Sequence, residues 1–513
     1  MASINNKRIA KNTLLLYFRM LFMMTVSLYT SRVVLNTLGV NDYGLYNVVG
    51  GIVAMFAFIS GSMTSATQRY ITFAIGKGNK DEINKVFCIA LQIHILIAVV
   101  LIIVSEIFGL YFLYNKMLIP QERMNAAFWV LQCSILSTAI IIVSVPYNAD
   151  IIAHERMSAF AYISIVEVIL KLLIVYILTI FSIDKLILYA FLLLAIQVFI
   201  RYCYNRYCNR HFEETKYHHL SDKKLFKEMT SFAGWGLFEN TAGALYTQGL
   251  NILLNMFFGA GVNAARAIAV QVLSTVRQFI GNFQMAINPQ ITKTYSQNNF
   301  NEMHKLVYRS ARFSFFILFL LTLPILFETQ FILKVWLKTI PENTVVFLRL
   351  MICVSLTYTM SNPLVIANQA TGKVKKYQLI CGSLLLMILP IAYLCLRLDC
   401  PAYSVFIVHL VMEIITQIAR MKIMCPLIHL RMKDYFKNIY VKILFVVVLS
   451  IIAPCIIYFN MDDNVLRFFV VSFISMLSVS LTSYIFGLSN AERTFVKAKA
   501  VTVICQVKKL FKS

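Results

Sequence analysis

The sequence predicts an all-α integral membrane protein. It has about fourteen spanning helices, arranged as two six-helix halves related by pseudo-two-fold symmetry plus two C-terminal helices. Three observations lead there. Hydrophobic residues make up 59% of the 513 and charged residues only 14%, with a mean hydropathy of +0.73. A soluble domain carries about 25% charged residues. Apolar runs of about 20 residues, long enough to cross a bilayer core, recur from one end of the chain to the other. Lysine and arginine gather in alternate connections between those runs.

The runs lie at roughly 12–34, 43–66, 86–110, 125–145, 158–180, 184–204, 231–257, 264–288, 308–328, 344–366, 376–397, 401–420, 439–459 and 464–487. The first follows MASINNKRIAKNT, a basic stretch with no small-residue cleavage site after it, which predicts an uncleaved first span. The chain holds 47 Lys+Arg against 23 Asp+Glu, a net charge of +24. With the N-terminus inside, roughly 34 of the 47 basic residues fall in inside segments and about nine outside. Both termini are therefore expected in the cytoplasm. The excess charge is accounted for by orientation and anionic lipid, and no nucleic-acid partner is expected.

Shifting the chain by about 220 residues brings Gly61 onto Gly281, Ile71-Thr72 onto Ile291-Thr292, and Asn79, Glu82 and Lys85 onto Asn299, Glu302 and Lys305. A shift of about 217 brings Pro146, Ala153 and Arg156 onto Pro363, Ala370 and Lys373. A shift of six helices predicts a parallel repeat. The expected organisation is a six-helix lobe over 1–204, a basic cytoplasmic linker over 205–230, a second six-helix lobe over 231–422, two further helices over 423–487 and a basic cytoplasmic tail over 488–513. Such halves enclose a midplane site suited to alternating access.

The run 264–288 sets the functional expectation. Ser274, Arg277, Gly281, Gln284 and Asn288 recur in steps of three and four and share one helix face; Val272, Val276, Phe279 and Phe283 line the other. Arg277 lies near the middle of the run, too deep to reach the interface easily, so it needs water or a partner. A structural ion pair would satisfy it; so would a hydrated cavity that binds an anion. Arg19, Arg32, Arg69, Lys171 and Arg266 are further candidate anion contacts, with Gln248 and Asn251 from the polar stripe of the seventh run. Glu167, Glu239 and Glu413 are candidate ion-coupling carboxylates. Glu167 stands four residues before Lys171 and can simply neutralise it. His409, Glu413, Gln417 and Arg420 share a face of the twelfth run.

No catalytic residue, cofactor or metal site is expected. The chain shows no nucleotide-binding loop, no Ser/His/Asp arrangement and no CxxC pair among its 11 cysteines. His218-His219 reads as part of a solvated basic loop. No outer connection is long enough for a catalytic domain.

The segment SRVVLNTLGVNDYGLYNVVGG resembles the L-G-x-x-x-Y-G-x-Y pattern of polysaccharide flippases. VPYNADIIAHERM and NPLVIANQATGKVKKY resemble the same group at matching ends of the fourth and tenth runs. This is the Wzx-like branch of the multidrug/oligosaccharidyl-lipid/polysaccharide exporter superfamily, and the similarity spans essentially the whole chain. The resemblance implies a MATE-like fold in the bacterial inner membrane. It also implies translocation of undecaprenyl-diphosphate-linked oligosaccharide for O-antigen or capsule synthesis, beside polysaccharide assembly proteins. The rival expectations are a cation-coupled multidrug exporter of the same superfamily and a membrane glycosyltransferase or polymerase. Drug exporters of this superfamily typically carry a carboxylate in the first helix, where this chain has Arg19 and no Asp or Glu.

Overall fold

The computed structural model describes residues 2–494 apart from 55, 56, 116, 118, 182, 183, 338, 339, 490 and 491. Within them α1 (Ala2–Ala54) carries the first predicted span and the start of the second, divided at Gly39. The second continues through α2 (Ala57–Lys77). Then come α3 (Lys80–Asn115), α4 (Met124–Ala153), α5 (Met157–Ile180) and α6 (Lys185–His211). The next three are α7 (Lys223–Phe258), α8 (Ala260–Ser296) and α9 (Phe300–Phe327). A short α10 (Thr329–Leu337) precedes α11 (Thr344–Thr359) and α12 (Asn362–Thr371). The chain continues through α13 (Lys375–Arg397), α14 (Ser404–Leu427), α15 (Met432–Tyr435), α16 (Lys442–Asn460) and α17 (Val465–Thr482). Among the described residues each predicted run falls mainly on helix, and no strand occurs.

Eleven described helices are long and apolar enough to cross a membrane. The predicted spans outside that set are the second, α7 and α8; the last two are rich in polar residues. Aliphatic and aromatic side chains such as Leu96, Ile103, Ile107, Phe469 and Phe473 point outward from α3 and α17. Contiguous apolar surface of this kind suits lipid rather than water. The chain is a multi-pass membrane protein.

Several helices outrun their predicted spans. The 36 residues of α3 and 37 of α8 exceed the runs 86–110 and 264–288. At 1.5 Å per residue α8 is about 55 Å long, against about 30 Å of hydrocarbon. Hydropathy detects only the part in lipid, while local caps set the true ends. Asn79 Oδ1 accepts from the Asp81 and Glu82 amides at 3.1 and 3.3 Å and starts α3. The tenth run, expected as one helix over 344–366, is broken at 360–361 and resumes as α12, with Pro363 in its first turn. The linker 205–230 is largely structured: α6 runs to His211, a 3-10 turn spans Glu213–Thr215, and α7 begins at Lys223. Most of the tail 488–513 lies outside the described residues, but its start is held by Glu492, which pairs with Arg312 at 2.9 Å and Arg309 at 3.1 Å. Burial pushes the Glu492 carboxyl up, and Arg312, the Ser489 amide that donates to it and Arg309 together outweigh this and hold it below the usual range.

The sequence offset recurs in the backbone. Gly39 and Gly259 have φ of 81° and 77°, Gly78 and Asn298 of 77° and 55°, and Glu155 and Gly372 of 58° and 78°. The first two pairs stand about 220 residues apart and the third about 217. Each is a left-handed residue at a helix end, where the chain must reverse.

The described chain divides into two compact units. The first comprises 1–245, 282–303 and 366–383; the second comprises 246–281, 304–365 and 384–513. In the first, α4 packs on α3 and α6, and α1 on α5. Its core includes Val49, Leu113, Val130, Leu131, Ile135 and Leu186. Arg123 joins two connections there, donating to Asp42 and, at 2.5 Å, to Asp184, whose side chain also caps α6. In the second unit α11 packs on α14 and α16 on α17.

The expected orientation carries its own test. Single cysteines at Asn41, Asn343 and Asp463 should react with an impermeant reagent from outside intact cells, and cysteines at Lys77, Lys216 and Lys375 should not. The opposite pattern would reverse the assignment of sides.

Candidate functional site

The polar face of α8 is open and its apolar face is packed. Ser274, Arg277 and Gly281 are exposed; Val276, Ile280 and Phe283 are buried. This is the reverse of a lipid-facing helix, and it follows from the three-and-four spacing of the polar residues.

Within the second unit, α7, α8, α11 and α14 together line a cavity of about 200 Å³. Its polar lining is Tyr246, Thr247, Arg266, Ser274, Arg277 and His409. Met351, Val354, Phe406, Val270 and Leu273 supply the apolar part. Two guanidinium groups thus meet one small cavity.

Arg277 donates from Nε to Ser355 Oγ at 2.7 Å, and its guanidinium lies 5.9 Å from the centre of the Tyr358 ring. Among the described residues no carboxylate is in salt-bridge contact with it. The carboxylate on the facing helix, Glu413, is instead held by Arg420 at 2.7 Å, and both are buried. Among the described residues the ion-pair alternative for Arg277 therefore has no partner in direct contact. Arg266 donates to Asn251 Oδ1 and, at 3.2 Å, to the Thr247 carbonyl; its Nε is buried with no hydrogen-bond partner among the described residues. Asn251 in turn accepts Arg266 on one edge and donates to Gln248 at 3.2 Å on the other. Tyr246 Oη and His409 Nδ1 are 2.6 Å apart and close the wall opposite.

The structure thus brings together Arg277, Arg266, Ser274, Gln248 and Asn251. Gln284 and Asn288 continue along α8 in residues belonging to the first unit. The remaining candidates sit elsewhere in that unit. Arg19 stacks on Phe160 with 4.4 Å to the ring centre. Arg69 donates to the carbonyls of Gln369 and Ala370 at 3.0 and 2.8 Å and so closes the C-terminal end of α12. Lys171 pairs with Glu167 at 2.7 Å, and the same carboxylate accepts Gln197 at 3.2 Å. Lys171 and Gln197 line a separate cavity of about 390 Å³ with Ser134, Ser137 and Thr138. Glu239 accepts from Tyr377 Oη at 3.1 Å. The side chain of Arg32 lies outside the described residues.

Sequence reasoning missed Tyr246, Ser355 and Tyr358 as neighbours of the arginines. Each is an ordinary residue of an apolar run, and Arg277 and Ser355 stand 78 residues apart. His409 was visible only as one member of the polar face of α14.

No family model matches the sequence, and no curated protein is significantly similar to it. Solved structures do match. One is an outward-facing multidrug resistance MATE family transporter of the MOP superfamily, with a TM-score of 0.68 at 14% identity, covering 81% of this chain and 94% of that one. A MATE protein in its bent conformation gives a TM-score of 0.66 at 15% identity, covering 82% and 96%. A MOP superfamily transporter from Pyrococcus furiosus Vc1 (DSM3638) gives a TM-score of 0.65 at 16% identity, covering 82% and 96%. The chain has the MATE transporter fold. At this identity the likeness speaks to the fold, and the chemistry has to come from the pocket.

Proposed function

We propose that the protein translocates a lipid-linked oligosaccharide diphosphate across the membrane by alternating access, as a polysaccharide flippase. The observation that carries this is the pair Arg266 and Arg277 in one cavity, neither in salt-bridge contact with a described carboxylate. A site of that charge suits an anion and repels cationic drugs. Guanidinium groups match phosphate oxygens with two parallel hydrogen bonds. Ser274, Tyr246 and the amides of Gln248 and Asn251 add neutral donors and acceptors of the kind that bind sugar hydroxyls. The Pyrococcus transporter is described as having a binding pocket of reverse polarity that suggests a different function. Pocket polarity is thus a reasonable guide to substrate within this fold.

The cation-coupled exporter reading rests on carboxylates within the spans. Of these, Glu413 and Glu167 are each already neutralised by a cation on their own helix. The glycosyltransferase reading gains little, because Asp42, the acid in the first outer connection, is engaged by Arg123.

Disrupting the gene and analysing lipid-linked intermediates tests the proposal. The expected result is complete repeat units on undecaprenyl diphosphate held in the cytoplasmic leaflet. Truncated glycans would point to a transferase, and unchanged surface polysaccharide would overturn the proposal.

A further inference from the structure

Asp150 is the least explained charged residue of the first unit. It lies on the last turn of α4, fully buried, and neither carboxylate oxygen has a hydrogen-bond partner among the described residues. A buried carboxylate without donors is costly to ionise unless a cation compensates it; otherwise it keeps its proton. Two further ligand atoms face it. His154, one turn on, places Nε2 at 3.7 Å from Asp150 Oδ1. Glu214, from the 3-10 turn of the linker, places Oε1 at 2.6 Å from the same nitrogen. All three ligand atoms lie within 4.8 Å of one another.

We propose that Asp150, His154 and Glu214 bind one divalent transition-metal ion, such as Zn²⁺ or Mn²⁺, which fastens the linker to the cytoplasmic end of α4. Charge supports it: two carboxylates and a neutral imidazole balance a doubly charged ion. Geometry supports it too. Bonds of about 2.1 Å at tetrahedral angles put ligand atoms about 3.4 Å apart. The Asp150–His154 separation is near that, and His154 and Glu214 need to part by less than 1 Å, roughly. On binding, Nε2 gives its lone pair to the ion and the ring proton resides on Nδ1. The ring is already oriented, stacked on Phe212 with centroids 4.2 Å apart and planes 12° apart. One nitrogen and two carboxylates suit zinc or manganese better than calcium, which takes an all-oxygen shell. The site opens on a cavity of about 620 Å³ lined also by Lys80, Arg156 and His211, where water can complete the coordination. Two of the basic neighbours already have carboxylate partners of their own: Arg8 is engaged by Glu155, and Lys80 by Glu213. The spacing Asp-x-x-x-His was in the sequence, but the third ligand stands 60 residues further on.

The test uses the full chain, purified in detergent without a histidine tag, stripped with a chelator and then equilibrated with Zn²⁺ alone. Metal per chain is measured after desalting, together with the thermal midpoint. About one ion per chain and a raised midpoint are expected, with both lost in Asp150→Asn, His154→Gln and Glu214→Gln. Glu214 lies on the short 3-10 turn rather than in α4, so its variant should fold even if that of the fully buried Asp150 does not. His218→Ala/His219→Ala should bind as the parent does. A parent chain that retains no stoichiometric zinc overturns the proposal. So does undiminished binding in Glu214→Gln, or loss of binding in the His218/His219 variant.

Discussion

Arg277→Ala is expected to insert and fold normally yet lose most translocation. The structure explains the first half. Removing Arg277 strands no buried carboxylate, because Glu413 remains with Arg420, and Ser355 can satisfy its hydroxyl within α11. The second half follows from the proposed diphosphate contact. One charge-assisted hydrogen bond contributes about 1.5–3 kcal/mol, or roughly a tenfold to hundredfold change in binding. Arg277→Lys should keep part of the activity, since the charge stays but the bidentate fork is lost. Arg266→Gln should weaken binding in the same direction, with a further loss of order where Asn251 and Gln248 are held. Protein level and surface polysaccharide, measured in the same strains, separate these outcomes from misfolding. Normal protein with normal polysaccharide in Arg277→Ala would remove the residue from the site.

The face that carries Arg277 was legible because helix periodicity is local. Steps of three and four put Ser274, Arg277 and Gly281 on one side, and the structure opens that side and packs Val276 and Phe283. The spans were legible for a similar reason, since hydropathy reads what lipid demands. Two things were not. Helix ends beyond the lipid depend on caps such as Asn79 and on left-handed residues such as Glu155, which leave little mark on composition. The partners of each charge depend on which helices meet. Arg69, a candidate anion contact, donates to the carbonyls of Gln369 and Ala370, some 300 residues further along the chain. Asp150 and His154 stand one helical turn apart, but Glu214 is 60 residues further on, and only folding brings it within reach of them.

Arg420→Gln is expected to be the most destabilising of the substitutions considered, and a second substitution should undo it. Arg420 and Glu413 are two turns apart on α14, each side chain only 6% exposed, with Nη1 and Oε1 at 2.7 Å. Ser361 Oγ and Gln417 Oε1 accept from the same Nη1 at 3.3 and 3.5 Å. Breaking a buried pair on one side leaves an uncompensated charge and costs roughly 3–5 kcal/mol. Replacing both charges removes that penalty, so Glu413→Gln/Arg420→Gln should recover most of the thermal midpoint and yield. The double variant also bears on energy coupling. If Glu413 serves only to neutralise Arg420, the folded double variant translocates with its gradient dependence unchanged. If Glu413 carries a proton or sodium ion, the double variant folds but loses that dependence, because no group at this position can then change charge. A single Arg420→Gln variant as stable as the parent would show instead that the pair is not a buried charge unit at all.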